Sequence, residues 1–463
     1  MWILTTLSDS IWNYIMVWLM VVCALWFSLK TRFVQFSMFG EMFRTIGRST
    51  SVVGDRRRNI SSFEAFIISL ASRVGVGNLA GVALAITIGG PGAIFWMWVM
   101  AVLNAATAFV EATLAQLYKS RSKDAFIGGP AYYINKGLKN RPLAITVAIL
   151  TVVTFSFTIC SVQSNTIAIS GYEAFGLSRY ISALIIGVLL FAVIFGGVQR
   201  VAKVSGMIVP VMAVAYIFVV LYVIATNITL IPDVISTVVE SAFGIKQVMG
   251  GSVAMAFMLG TKRGLFSNEA GMGSAPNAAA TADVSHPVNQ GLIQALGVFV
   301  DTLVICSCTA FIIFLSHESA PADMTGIALT QFSLSNEVGF WAYYFIAVII
   351  FFFGFSTCIS NAYYGESNVR FISNNKFVVN GFRIAMVLFV MIGSVVPLEF
   401  IWALADFLMI FIVFINLVSI TKLGKDVYLL LSNYKRQKRE GILNPVFRKK
   451  QIPELDVPEV ECW

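Results

Sequence analysis

Residues 73–81 read RVGVGNLAG. Gly75-x-Gly77-x-x-Ala80 fits the dinucleotide-binding pattern G-x-G-x-x-G/A, but that pattern acts only after a strand and within a water-exposed βαβ unit. Here FEAFIISLAS precedes the stretch and VALAITIGG follows it, so the glycines interrupt one long apolar run. A second stretch, RGLFSNEAG at 263–271, repeats the layout: Arg, four residues, Asn, one residue, Ala-Gly. The nucleotide reading fails on context. What remains is one device used twice.

The solvent is set by composition. Of 463 residues, 58% are hydrophobic and 12% charged, and the mean hydropathy is +0.81. A soluble domain carries about 25% charged residues, so the chain reads as an integral membrane protein. Its apolar runs are continuous rather than alternating, which points to helices and not to a barrel. A span needs about 20 apolar residues. Eleven stretches qualify: 11–29, 61–89, 92–118, 143–170, 179–197, 204–228, 247–282, 288–315, 338–369, 379–397 and 400–421.

Positive charge fixes the expected orientation. Lys30, Arg32, Arg44, Arg48, Arg56, Arg57 and Arg58 surround the first loop, and Lys119, Arg121, Lys123, Lys136, Lys139 and Arg141 the third. Arg200, Lys203, Arg370 and Lys376 mark two more loops, and nine Lys/Arg lie in 422–450. The alternate loops hold Arg179 and Lys246. The positive-inside rule then puts the N-terminus outside and the C-terminus in the cytoplasm of a multi-pass plasma-membrane protein. The formal charge of +8 is thereby assigned to the membrane, not to nucleic acid. The basic tail anchors the topology, with binding to anionic headgroups as the sharper alternative. Trp96, Trp98, Trp341 and Trp402 fall near span ends, as interface anchors do.

Catalysis and resident metals find little support. Two histidines, His286 and His317, and six scattered cysteines (Cys23, Cys160, Cys306, Cys308, Cys358, Cys462) give no metal spacing beyond one Cys-x-Cys. No filter motif of a channel is visible, and no obligate protein partner is evident.

The repeated stretch reads as a helix broken inside the membrane. Gly75 and Gly77 disfavour a helix, and Asn78 bonds local backbone in non-helical conformations. Free amides at a new helix N-terminus suit a carboxylate; free carbonyls at a new C-terminus suit a cation such as Na⁺. In the echo, Gly260, Gly264, Gly271 and Gly273, with Pro276 nearby, are expected to break the seventh span. Span two runs inside to outside and span seven the reverse. The arrangement predicts a 5+5 inverted repeat, residues 60–228 and 246–421, joined by an external loop 229–245. An additional helix and basic loop (1–59) come before it and a basic tail (422–463) after it. Interrupted spans at matching positions point to a transporter binding site. Arg73 and Arg263 need partners at this depth. Glu111, Asp301, Asp406 and Glu269 are the candidates, with Glu111 or Asp301 expected for Arg73.

On the stretches GVGNLAGVALAITIGGPGAIFWMW (75–98), GGPAYYINKGL (128–138), VQSN (162–165), RGLFSNEAGMGSAPNAAA (263–280), HPVNQGL (286–292) and FVDTLVICSCTAF (299–311), the chain resembles the alanine or glycine:cation symporters. The resemblance implies a LeuT-type all-α fold of eleven spans and Na⁺-driven uptake of a small neutral amino acid. Alanine or glycine is the typical substrate, and glutamine carriers also occur in the family. It implies that the amides of Gly75, Val76, Gly77 and Asn78 hold the substrate carboxylate. Gln163, Phe266 (in the second break) and Asn361 would line the pocket. By the fold analogy, a sodium site would use the backbone carbonyls of Ser72 and Arg73 and the hydroxyls of Ser356 and Thr357. Members of the family carry Thr at the position of Val76 and Trp at that of Asn361. The amide at 361 widens and polarises the pocket, which raises glutamine or asparagine as alternative substrates. A proton-coupled carrier is the alternative for the driving ion.

Overall fold

A computed structural model describes residues 2–46, 60–122, 126–245, 252–316, 321 and 324–463. Arg48, Arg56, Arg57, Arg58, Lys123, Lys246 and His317 lie outside the described residues. The expected apolar stretches coincide with helices. In chain order these are α1 (Leu4–Lys30), α2 (Ser62–Arg73), α3 (Gly77–Gly89), α4 (Gly92–Leu117), α5 (Arg141–Phe175), α6 (Arg179–Ile194), α7 (Gly197–Thr226), α8 (Val253–Asn268), α9 (Ala275–Ala279), α10 (Pro287–Ser316), α11 (Trp341–Ile372), α12 (Lys376–Gly393) and α13 (Leu398–Arg439). Among the described residues, eight helices are long and apolar enough to cross a membrane, and a ninth span forms if α2 and α3 count as one, bent by 49°. The connection after α7 carries a helix of its own, Ile231–Ala242, and another, Gly326–Val338, precedes α11. A two-residue antiparallel pair, Ser120–Arg121 with Phe126–Ile127, is the only sheet among the described residues.

Local chemistry sets the helix ends. At the start of α2, Ser61 Oγ accepts from Glu64 N–H and Glu64 Oε2 accepts from Ser61 N–H, a reciprocal cap that satisfies two free donors. Packing then pairs the helices: α4 lies along α10, α5 along α11 and α6 along α12. Close approach depends on absent side chains. A Cβ on Gly291 would fall 2.8 Å from Phe109 Cδ2, and one on Gly354 would fall 2.8 Å from Ile167 Cδ1. Between apolar helices in lipid, such contact replaces the hydrophobic drive available in water.

The two breaks differ in a way the repeated string hides. The first lies inside RVGVGNLAG: α2 stops at Arg73, and Val74 leaves the helical region (φ −76°, ψ 88°). The second lies at the end of its echo. Gly260 and Gly264 are helical within α8, and the chain breaks at Glu269 (φ 56°), with Gly271 (φ 90°) and Gly273 (φ 77°) left-handed. Phe266 is therefore on a helix, not in the break as expected. The physical reason is where the partners are: Glu111 captures the amides of Gly271 and Gly273, while among the described residues no side chain bonds those around Gly264.

One end of the bundle is closed by strand-like pairing and by the tail. Ile60, just before α2, bridges Ala282, and Asp283 N–H donates to Ile60 O at 3.0 Å. The tail does not trail away. Beyond α13 it folds back, with Phe447 N–H on Ser285 O (2.9 Å) and the Trp463 indole N–H on Gln116 O (3.0 Å). Ion pairs Lys136–Glu461 (3.0 Å) and Lys139–Glu459 (2.8 Å) hold it at the rim. Lys119, 2% exposed under this cover, has its ammonium pKa pulled down to about 8 by burial.

His286 caps α10 beneath the same cover. Its Nδ1 accepts from Val288 N–H (3.2 Å), which leaves Nε2 as the donor to Asn433 Oδ1 (3.3 Å). Burial pushes its pKa from 6.5 down to about 3. The folded protein thus keeps the ring neutral while the unfolded chain takes up a proton below about pH 6.5. This contribution to stability is complete above that pH and is lost as pH falls. Going from pH 7 to pH 5 should cost about 2 kcal/mol from this group. In His286→Asn, which keeps a capping oxygen, the drop in Tm between pH 7 and pH 5 should be smaller than in the parent, as read by thermal unfolding in detergent.

Candidate functional site

The gap between α2 and α3 organises the site. Gly75 N–H donates to Asn78 Oδ1 (2.8 Å), and Val76 N–H donates to Gln163 Oε1 (2.9 Å) from α5. Both amides are thus aimed at acceptor oxygens, the chemistry a carboxylate would supply. A Cβ on Gly75 would fall 2.9 Å from that same Gln163 oxygen, so glycine is what lets the backbone approach. Asn78 is oriented by Nδ2 on Asp301 Oδ1 at 2.7 Å. Asp301 Oδ2 accepts in turn from Ser267 (2.8 Å) and Thr302 (3.0 Å).

Gly77 faces Phe266, whose Cδ1 lies 3.0 Å from where a Cβ would stand. The Phe266 ring packs on Trp402 at 4.6 Å, and the Arg263 guanidinium stacks over Trp402 at 4.5 Å. Trp402 is thus not an interface anchor; it is 8% exposed and belongs to this stack. Position near a span end could not separate the two roles. Trp341 does fit the anchor reading, exposed at the start of α11.

On the other side of the break, oxygens converge. Thr357 Oγ1 lies 3.0 Å from Phe353 O on its own helix, 3.1 Å from Ala71 O and 3.2 Å from Ser72 O, with one proton to share among them, and Ser356 Oγ lies 2.9 Å from Phe353 O and 3.4 Å from Ala71 O. The expected Ser356, Thr357 and Ser72 come together here. Among the described residues neither hydroxyl bonds the Arg73 carbonyl, while both approach that of Ala71. Hydroxyls and carbonyls are hard donors, the set an alkali cation takes, and the C-terminal end of α2 adds its partial negative charge.

Asn361 reaches the same region from α11. Ser72 Oγ lies 2.9 Å from Asn361 Oδ1 and 2.7 Å from Glu269 Oε1. With one proton Ser72 can donate to only one of them, and the carboxylate is the stronger acceptor. Asn361 Nδ2 is buried without a protein partner, and turning the amide over would let it donate to Ser72.

The expected pairing of Arg73 with Glu111 or Asp301 is not formed. Arg73 is 1% exposed, and its one hydrogen bond runs from Nη1 to Gln294 O (3.0 Å); Nε and Nη2 have no protein partner. Glu111 and Asp301 are committed elsewhere: each serves backbone or side-chain donors at a break. Arg263 does find a carboxylate, Asp406, at 3.0 Å from Nη2 to Oδ2. Sequence reasoning passed over Lys262, which meets the same Asp406 at 2.7 Å, and Asp9 of α1, 3.1 Å from Lys262. Adjacent cations facing one buried acid were the available signal. These groups line an open cavity of about 480 Å³ above the Trp402–Phe266 pair.

A sequence profile of the sodium:alanine symporter family matches residues 1–449. The chain belongs to that family. It is a membrane symporter and not an enzyme. It is 48% identical over 456 residues to the amino-acid carrier protein AlsT of Bacillus subtilis, covering 98% of this chain and 96% of that one. It is 45% identical to the probable sodium/glutamine symporter GlnT of the same organism, covering 98% and 94%. The sodium/alanine symporter AgcS of Methanococcus maripaludis is 34% identical, covering 87% and 90%. Among solved structures, MhsT in complex with L-phenylalanine matches with a TM-score of 0.54 at 11% identity, over 81% of this chain and 99% of that one. That similarity shows the fold, and the symporter shares it with LeuT-type transporters.

In this symporter Glu111 is the keystone of the second break. Oε1 accepts from Gly271 N–H (3.1 Å), and Oε2 accepts from Gly273 N–H (3.3 Å) and Asn416 Nδ2 (3.0 Å). Glu111→Gln replaces one acceptor with a donor facing an N–H. It should destabilise the protein by about 2 kcal/mol, the scale of a lost charged hydrogen bond, read as a lower Tm. Thr146→Ala, exposed on α5 and bonded only to the Pro142 carbonyl four residues back, should cost less.

Proposed function

We propose that the chain imports a small neutral amino acid together with Na⁺ by alternating access. One observation carries the reading: two kinds of site flank the same helix break. The amides of Gly75 and Val76 are held by side-chain oxygens that a substrate carboxylate could replace, and the oxygens of Ala71, Ser72, Ser356 and Thr357 converge as the ligands of a cation would. In this reading Gly75, Val76, Gly77, Asn78, Gln163, Phe266 and Asn361 hold the amino acid. Carboxylate and Na⁺ bound on either side of one break would stabilise each other and bias the bundle jointly. One Na⁺ moved down a potential of 100 mV releases about 2.3 kcal/mol, enough for a roughly 50-fold accumulation of a zwitterion.

The topology we infer has eleven spans with the N-terminus outside. Residues 60–228 and 246–421 would form the two inverted halves, the loop 229–245 would lie outside, and 1–59 and 422–463 would flank them. Support comes from the distribution of Lys and Arg. It comes also from the pairing of α4 with α10, α5 with α11 and α6 with α12, each joining helices five spans apart in this scheme.

Uptake of labelled alanine into proteoliposomes should collapse without a Na⁺ gradient. Thr357→Val should raise the Na⁺ needed for half-maximal uptake roughly tenfold. Uptake that follows a pH gradient with Na⁺ absent would make the proton the coupling ion.

A second reading, glutamine as substrate, is favoured by Asn361 and by the 45% identity to the probable sodium/glutamine symporter. Its carboxamide could pair with the free Asn361 Nδ2. Asn361→Trp should then abolish glutamine competition in the uptake assay while leaving alanine uptake within a few-fold of the parent. Equal competition by glutamine in parent and variant would remove Asn361 from the pocket.

A further inference from the structure

Two cations and one buried acid meet at the floor of the open cavity. Lys262 and Arg263, neighbours on α8, both bond Asp406 of α13, Lys262 at 2.7 Å and Arg263 at 3.0 Å. All three side chains are nearly excluded from water, at 3%, 6% and 8% exposed. One carboxylate does not neutralise two cations, and an excess charge in this setting is costly. The remaining partner comes from outside the repeated halves: Asp9 of α1, 3.1 Å from Lys262 and 54% exposed to the cavity. Glu399 also lines the cavity but lies within ion-pair distance of neither cation. Helix α1 is fastened at the same point a second way, through the Trp12 indole N–H on Asp406 O at 2.9 Å.

From Asp406 a continuous stack runs to the substrate region: Arg263 on Trp402, Trp402 on Phe266, and Phe266 on Gly77. Opening the cavity down to the break requires α8 to part from α13. The Arg263–Asp406 and Lys262–Asp406 bonds must then break, and a low-dielectric site makes a stranded ammonium expensive. Asp9 keeps Lys262 paired throughout when α1 moves with α8, the Trp12–Asp406 bond being released together with the two ion pairs.

We propose that α1 is a working part of the outer gate, with Asp9 as a positioning residue that holds Lys262 when Asp406 releases it and so favours the outward-open state. This rests on the orientation and alternating-access reading above. Removing the carboxylate should lower the outward-open population. The apparent affinity for external substrate falls in proportion to that population.

The test uses the full-length protein with Leu84→Cys on the cavity wall, labelled in right-side-out vesicles by a membrane-impermeant thiol reagent. Asp9→Asn should slow labelling several-fold and raise the external KM by the same factor, with maximal uptake and Tm near the parent values. Asp9→Glu should restore both the labelling rate and the KM, and Asp9→Lys combined with Lys262→Asp should recover part of the loss. Unchanged labelling and KM in Asp9→Asn would overturn the proposal. Faster labelling would overturn it too, since Asp9 would then hold the gate shut. A fall in Tm with labelling unaltered would reduce Asp9 to a structural role. Labelling reads the gate without transport, so a protein lacking Na⁺-dependent uptake would still report on it. Labelling only from the opposite side would instead sink the orientation.

Discussion

The backbone released where a helix stops inside the membrane has to be satisfied by protein, because lipid offers no partner. Much of this structure answers that requirement. Each break is served by a buried carboxylate, and the service is crossed. Glu111 on α4 captures the amides of the α8–α9 break, while Asp301 on α10 orients Asn78 at the α2–α3 break. The helix following each broken one thus supports the other break. The same two helices pack along each other, so the two breaks and their supports form one unit.

This support explains why Arg73 stands apart. Its natural counter-ions are already engaged, and its guanidinium keeps two donors without protein partners in the core. Among the described residues it forms no ion pair and bonds only the Gln294 carbonyl. Arg263, its counterpart in the repeated string, is the opposite case: bidentate on Asp406 and stacked on Trp402. The two positions match in sequence and diverge in role because the first break lies directly after its Arg, whereas five residues of helix separate Arg263 from the second.

Family membership and the broken-helix fold were legible before any coordinates. Long apolar runs, charge placed by the positive-inside rule, and glycines clustered in the middle of a span are local signals, and each carries its physical cause with it. The approach of Gln163 to Val76 and of Phe266 to Gly77 matches what the family resemblance implied. Individual partners did not follow. That Thr357 meets the carbonyls of Ala71 and Ser72 depends on where α2 stops, to a single residue. The burial of Trp402 depends on which face of α13 meets α8.

The sequence by itself determined the solvent, the helical spans and the first break, because apolar length, charge and glycine act over a few neighbouring residues. Only the tertiary structure decided which donor meets which acceptor. Glu111 serves Gly271 across 160 positions and Lys262 meets Asp9 across 253. Such pairs are chosen by the packing of whole helices, and no local pattern in the chain records that packing.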